Sequence, residues 1–413
     1  MKIALVSQFV YPHGHEIRLK KISQTLLGDG HDVAVFCKWE PGTHVTELVD
    51  GVEIHRNAPL RRFPKLNAAL TLHLAYNPVW FIWLVVKCRA LGVDTLIVRN
   101  LRLGMPSILA ARVLGLSMIA DLSENYPALA TIEGRNRFRD VFTRTRTVEA
   151  FFEKWTARLA DHVWVVVEEN RDRLVQEVGI ANEKISVVSN VPTSESMADL
   201  IQFRRDRAQG SSQTLTLVFL GIVDPLRGLD VLIGAVAEAN RRGAAKRIRL
   251  LVIGDGSARQ ELEAIAQQLG ADADVEFTGW IDSNEKYRYL AEGDFGVIPH
   301  VDCELCQTTI PNKLFDYLGA GIPALATDLA PIRRVIERHD CGVVVSWGRD
   351  DMATDLIALA ERPSQDLEQM GERGRKAVLA TYNWSYEEAA IRTTLKHIAD
   401  RGATTSDLEM ETK

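Results

Sequence analysis

The 413-residue sequence lacks any apolar run of the roughly 18–20 residues that a bilayer-spanning helix needs, which excludes a membrane helix as its organising element. Cysteine is scarce. Cys37, Cys88, Cys303, Cys306 and Cys341 are too few and too scattered for a disulfide scaffold, and in a chain of this length they fit a reducing compartment. The opening Met1–Ser7 is apolar for too few residues to form a signal-peptide core and reads as a first buried strand, so a cytoplasmic location is expected. No Gly-x-Gly-x-x-Gly follows the first strand of either half, which argues against a dinucleotide-dependent dehydrogenase. A global basic field is absent too: Lys and Arg number 49 against 55 Asp and Glu, giving a net charge of -6 and no case for nucleic acid.

What is there is an ordinary globular composition, 46% apolar and 25% charged. The length favours two domains over one core. Residues 1–200 carry 24 basic and 22 acidic side chains and residues 201–413 carry 25 and 33, so the first half is the better partner for an anionic surface. Short apolar strands alternate with helical patterns in each half, which implies a parallel, doubly wound α/β sheet twice over. In the first half the strands are expected at Ile3–Val6, His31–Phe36, Thr95–Val98, Met118–Asp121, Val163–Val167 and Ile185–Val188. In the second they are expected at Leu215–Leu220, Ile248–Ile253, Val275–Phe277, Phe295–Ile298, Pro323–Thr327 and Gly342–Val345. Residues 200–213 lose periodicity and end in Gly-Ser-Ser, the best linker. The expected domains are therefore 1–200 and 213–380, followed by a terminal helix over 381–400 and a frayed polar tail over 401–413.

Three segments carry chemistry. Thr308 to Pro323 reads as a helix with Thr308 or Thr309 able to cap, Pro311 near its first turn and Gly319–Gly321 at its end. An anion suits its start, Lys313 adds a cation there, and Asp316, one turn on, can accept from the vicinal hydroxyls of a ribose; an ordinary capped amphipathic helix fits the same residues. Phe219 to Gly228 is a strand exit where Gly221 lets a phosphate approach the backbone and Arg227 can neutralise it, although such turns also occur for packing alone. Gly254-Asp255-Gly256, and then Phe277-Thr278-Gly279-Trp280, add further strand exits, so permissive backbone gathers along the edge where open α/β sheets bind ligands.

These segments, taken together, resemble the family 4 glycosyltransferases, retaining enzymes with the GT-B fold of two Rossmann-like domains facing across a cleft. Gly221–Gly228 resembles that family's Gly…(Lys or Arg)-Gly loop, Gly254–Gly256 its Gly-Asp-Gly turn, and Phe277–Gly279 its Phe-x-Gly segment. Pro311–Pro323 matches Pro-x-Lys-x-Phe-Glu-Tyr-x-x-x-Gly-x-Pro, with Asp316 in the glutamate's place. Gly30–Val33, Ala160–Val163, Ile185–Asn190, Asp121–Pro127 and Trp384 extend the likeness over nearly the whole chain. The resemblance implies a uridine- or guanosine-diphosphate sugar as donor, held by Gly221, Arg227, Gly254, Trp280 at the base, Asn312, Lys313, Leu314 and Asp316 at the ribose. It also implies a saccharide or lipid-linked acceptor on the first domain near Gly14, His15 and Ser123, with Glu124, Arg227 and Lys313 as the catalytic set, retention of configuration, and no metal or other cofactor. Cell-surface polysaccharide assembly is the setting it implies.

The departures are specific. Thr308 replaces the first acid of a Glu-x7-Glu pair, with Glu304 nearby, and Ile222 replaces an arginine. Ser123 replaces the histidine of Asp-x-His-Glu and cannot carry an imidazole's charge, leaving His13, His15 or Glu124 for that role. A nucleotide-sugar epimerase of the same fold and a non-catalytic nucleotide-binding homologue are the alternatives. Cys303-Glu304-Leu305-Cys306 has the spacing of half a zinc site, but no second pair accompanies it. Leu74 to Val86, with Trp80, Phe81 and Trp83, lies between basic residues at Arg56, Arg61, Arg62 and Lys65 and a later set at Arg135, Arg137, Arg139, Arg144 and Arg146. That combination suits peripheral contact with an anionic membrane, and equally a buried helix with a solvated charged face.

Overall fold

A computed structural model describes residues 1–12, 16–71, 77–132, 145–193, 213–281 and 285–411, without the side chains of residues 287 and 401–411. His13, Gly14 and His15, most of the 200–213 linker, and Arg135, Arg137, Arg139 and Arg144 lie outside the described residues. The chain divides into two compact units, Met1–Ser189 with Glu387–Lys413, and Asn190–Tyr386.

The first unit is built on an eight-stranded sheet: β1 (Lys2–Val6), β2 (Asp32–Lys38), β3 (Thr46–Val49), β4 (Val52–Asn57), β5 (Thr95–Arg99), β6 (Ser117–Leu122), β7 (His162–Val165) and β8 (Ile185–Val187), in the order 3-4-2-1-5-6-7-8. Every pairing is parallel except β3 with β4, a hairpin absent from the sequence expectations. Its Asp50-Gly51 turn puts both residues at positive φ, 49° and 82°, which a two-residue hairpin turn of this kind requires. The order reverses between β1 and β5, so their carboxyl ends open a crevice.

The second unit has six parallel strands in the order 11-10-9-12-13-14: β9 (Thr214–Leu220), β10 (Arg247–Ile253), β11 (Val275–Gly279), β12 (Phe295–Ile298), β13 (Ala324–Thr327) and β14 (Gly342–Val345). Their central residues are apolar on both faces because helices cover both, and Leu217, Phe219, Leu250, Val252, Phe295 and Val297 are fully buried. The reversal falls between β9 and β12, which places Gly221 and Pro299-His300 side by side at the carboxyl edge. Gly296 on β12 is required there, since a Cβ would lie 2.1 Å from the Tyr317 ring.

Three expectations are corrected. The last helix runs Trp384–Glu411 instead of stopping near residue 400; Gly402 is its one poor helix former, and a penalty of about 1 kcal/mol does not end a helix already propagating. Trp80 is buried with its Nε1 donating to the Thr71 carbonyl at 3.0 Å, and Trp83 packs edge-on against it and Phe36, so neither is a surface aromatic. Arg56 is also buried, with its guanidinium donating to Glu47.

Candidate functional site

The carboxyl edge of the second sheet is assembled by backbone contacts that only glycine allows. Gly221, at φ 128°, donates its N–H to Ile253 at 2.9 Å, and Val223 donates to Asp255 at 3.0 Å, so the loops after β9 and β10 are zipped together. A Cβ on Gly254 would lie 2.0 Å from the Gly221 carbonyl oxygen, and one on Gly256 2.1 Å from that of Val223. The next loop is fixed as firmly: Asp224 accepts from the Leu226 amide at 3.0 Å and from Arg227 Nε at 3.1 Å. Val301 N–H then joins it to the β12 exit through the Leu226 carbonyl at 3.1 Å.

Lys313 begins the short helix Lys313–Gly319, with Asn312 preceding it. Thr308 and Thr309 do not cap this helix: both hydroxyls turn back, to the Glu304 carbonyl at 2.8 Å and the Leu305 carbonyl at 2.9 Å, because they close a preceding 3-10 turn. Leu314 is buried in the core and anchors the helix. Lys313 runs along the end of β9, where its Nζ sits 3.6 Å above the Phe219 ring and 3.3 Å from where a Cβ on Gly221 would be. Although the residue is half-buried overall, that Nζ is buried and has no hydrogen-bond partner among the described residues. Burial first, and then the neighbouring Arg227 charge, hold the Lys313 ammonium well below its ordinary range, against the pull of Asp224 and Asp316. An uncompensated amine at a pre-built strand edge is a receptor for an anion.

Asp316 lies one turn further, half-buried, with Lys286 Nζ at 3.9 Å. Trp280 follows Gly279 and is 68% exposed, an open aromatic face beside the site's rim. One residue was missed by the sequence reading: His300, at the β12 exit and 3% exposed, places Nε2 3.5 Å from Arg227 Nη1. Nothing local marks it; it joins the cluster because β12 lies beside β9.

In the first unit the crevice edge is also polar. Glu124 is half-buried at the end of β6, and Ser123, which is buried, hydrogen-bonds Tyr126. Tyr126 in turn donates to Asn100 Oδ1 at 3.0 Å. Asn100 holds φ 72° and ψ 150°, a region that strains any residue but glycine. Its buried Nδ2 has no hydrogen-bond partner, nor have Glu16 Oε2 and Arg99 Nε and Nη1, although Glu16 and Arg99 approach to 3.2 Å. Burial raises the Glu16 carboxyl, with Arg99 opposing. Asp121, by contrast, is structural: it takes a bidentate contact from fully buried Arg18, with Nε at 2.9 Å and Nη2 at 2.7 Å.

Cys306 is buried and its thiol is pushed up to about 12, so the Cys303–Cys306 pair is a weak ligand set, and no group of three metal-binding side chains occurs among the described residues. The Asp272-Ala273-Asp274 triplet lies at the opposite, amino edge of β11, where Asp274 is buried beside Arg247.

Comparison with known proteins identifies the family and the fold. Residues 214–362 match the family described as glycosyl transferases group 1, and residues 13–191 match the glycosyl transferase 4-like domain. A colanic acid biosynthesis glycosyltransferase of Escherichia coli (strain K12) is 25% identical over 211 residues, which cover 51% of this chain and 50% of that one. The chain spans about half the length of the curated relatives it matches. Among solved structures, sucrose-phosphate synthase from Thermosynechococcus elongatus superposes over 97% of this chain and 100% of its own with a TM-score of 0.76 at 15% identity. Anabaena HepE in complex with UDP superposes over 96% and 100% with a TM-score of 0.70, also at 15% identity. These structural likenesses establish the GT-B fold.

Proposed function

The chain belongs to the group 1 and 4-like glycosyltransferases, and from that footing we propose that it is a retaining glycosyltransferase acting on a UDP- or GDP-linked sugar. The observation that carries this reading is the buried, partnerless Nζ of Lys313 at the carboxyl edge of β9, beside Arg227 and over backbone that glycine keeps open. Breaking a glycosyl–phosphate bond builds charge on the departing diphosphate. Fixed cations at that position lower the barrier because they need no reorganisation when the charge appears. Arg227 is preset by Asp224 and Lys313 by Phe219, while Asp316 meets the ribose and Trp280 the base. The acceptor lies on the first unit, where Glu124, Arg99 Nη1 and Asn100 Nδ2 can bind its hydroxyls, the two nitrogens having no hydrogen-bond partner among the described residues. The colanic acid relative supports cell-surface saccharide assembly as the setting. The test is incubation of each sugar nucleotide with and without a lipid-linked saccharide extract: nucleoside diphosphate released only with the extract supports transfer, and conversion of the sugar nucleotide alone contradicts it.

Peripheral contact with an anionic membrane belongs to the same proposal, on different residues from Trp80 and Trp83. The helices Pro78–Leu91, Gly104–Leu114 and Arg146–Leu159 pack in series, and each exposes an apolar pair one turn apart: Ile82 and Val86, Leu109 and Val113, Phe151 and Trp155. Their exposed charges, Arg89, Arg112, Arg146, Lys154 and Arg158, are all basic, while Glu149 and Glu153 are buried. No helix among the described residues is long and apolar enough to cross a membrane. Flotation with vesicles rich in anionic phosphatidylglycerol should carry the protein, and Val113→Asp with Trp155→Asp should abolish it.

A further inference from the structure

His300 has no place in the reading above, yet it is the third base of the same cluster. It is anchored from both sides: its carbonyl accepts from Thr327 Oγ1 at 2.7 Å, and the following Val301 amide holds the Arg227 loop. Gly228 presses that loop against it, since a Cβ there would lie 2.0 Å from the Pro299 carbonyl oxygen. A guanidinium can only donate, so an uncharged ring with its proton on Nδ1 is the form of His300 whose Nε2 accepts in the 3.5 Å contact with Arg227. A second cation beside Arg227 and Lys313 would have no carboxylate of its own: Asp224 is engaged by Arg227, and Asp316 by Lys286.

Resting on the donor-site reading, we infer that His300 is a positioning residue of the diphosphate site, accepting from Arg227 as an uncharged ring, and that Lys313 takes up one proton as the diphosphate arrives. The balance is simple: Lys313 Nζ, which has no hydrogen-bond partner among the described residues, gains H⁺ from solvent, and the resulting ammonium pairs with a phosphate oxygen. No other bond changes. Supporting this, burial first, then the Lys313 charge once that lysine holds its proton, and the Arg227 charge throughout, keep the His300 imidazole well below its ordinary range. The groups facing Lys313 are Arg227 and Asp224 from the loop after β9, and Asp316 from its own helix; Cys306, also facing Arg227, stays a thiol. An arriving diphosphate reverses the sign of the local field and restores the lysine's affinity for its proton. Nucleotide affinity should then fall as pH rises through the range between the free and bound lysine, by up to about tenfold per pH unit.

The measurement is titration calorimetry of the full chain with UDP-glucose and GDP-mannose, whose diphosphate diesters do not themselves titrate near neutral pH, in buffers of different ionisation enthalpy. The expected result is proton uptake on nucleotide binding in the wild type, at a pH between the free and bound values of the lysine, and none in Lys313→Met. His300→Gln, which keeps a neutral acceptor, should bind within about threefold of wild type, whereas His300→Phe should lose roughly tenfold with an unchanged urea midpoint. If His300→Phe shifts that midpoint, the Gln variant and the proton count decide. Binding without proton uptake, uptake that persists in Lys313→Met, or equal affinity of the His300 variants overturns the inference. Failure of both sugar nucleotides to bind at any pH overturns the donor-site reading instead.

Discussion

Lys313→Met should weaken nucleotide binding while making the protein harder to melt, a pair of effects that a merely structural lysine would not produce. The amine is buried without a hydrogen-bond partner among the described residues, which costs about 1–3 kcal/mol. The Phe219 ring 3.6 Å beneath returns about 0.5–2 kcal/mol to the extent that the amine is charged. Methionine keeps the unbranched stem and can lie against the same ring. The net gain is on the order of 1 kcal/mol, or roughly 2–4 °C in the melting temperature of a unit of 150–250 residues. Removing a charge-assisted contact to a phosphate loses about 1.5–3 kcal/mol, roughly ten- to a hundredfold in affinity. The pH dependences separate the two effects further. A lysine whose folded value is depressed leaves the unfolded chain holding more protons, so the unliganded protein gains stability as pH rises from the folded value toward the ordinary lysine value. The methionine variant should lack that rise. Calorimetric melting with and without nucleotide, from neutral to alkaline pH, reads all three; a variant that melts lower and binds nucleotide as tightly as wild type would refute the reasoning.

Other perturbations test the scaffold. Gly254→Ala places a methyl 2.0 Å from the Gly221 carbonyl at φ 138°, so it should cost at least about 2 kcal/mol in urea unfolding and abolish nucleotide binding. Asp121→Ala strands the Arg18 charge inside the first unit and should destabilise by about 3–5 kcal/mol, read as a lowered denaturation midpoint. Burial pushes the Glu387 carboxyl up to about 7, with the Ser189 amide and Arg18 opposing. Because that value is raised on folding, its contribution is complete below the unfolded value and lost as pH rises through about 7. Glu387→Gln should therefore come nearest to wild type in melting at pH near 4 and exceed it at pH near 8; identical melting curves at both would contradict the assignment.

The second unit was largely legible because parallel strands covered on both faces are continuous apolar runs: Phe295–Ile298 and Gly342–Val345 are found where the sequence put them. Gly221, Arg227, Gly254 and Lys313 were also visible, since a glycine at a strand exit and a cation near a helix start have local signatures. The β3–β4 hairpin was not, although Asp50-Gly51 is its signal, because Glu47, Glu53 and Arg56 break the apolar pattern on that edge. His300 was invisible for another reason: its neighbours, Arg227 and Lys313, come from other elements, and only the β9–β12 adjacency brings them together. Trp80 and Trp83 stay open in the sequence between a membrane face and a buried helix because an apolar helix does not say which side faces the sheet. The exposed pairs on three successive helices emerge only once the buried side is known.

Thermal melting of the full chain across UDP, GDP, ADP, CMP and NAD tests the central claim most directly, since a ligand bound by the native state raises the melting temperature by mass action. A shift is expected with UDP or GDP, selective over CMP and NAD and lost in Lys313→Met. No shift with any nucleoside diphosphate, or a shift of equal size in wild type and Lys313→Met, would contradict it.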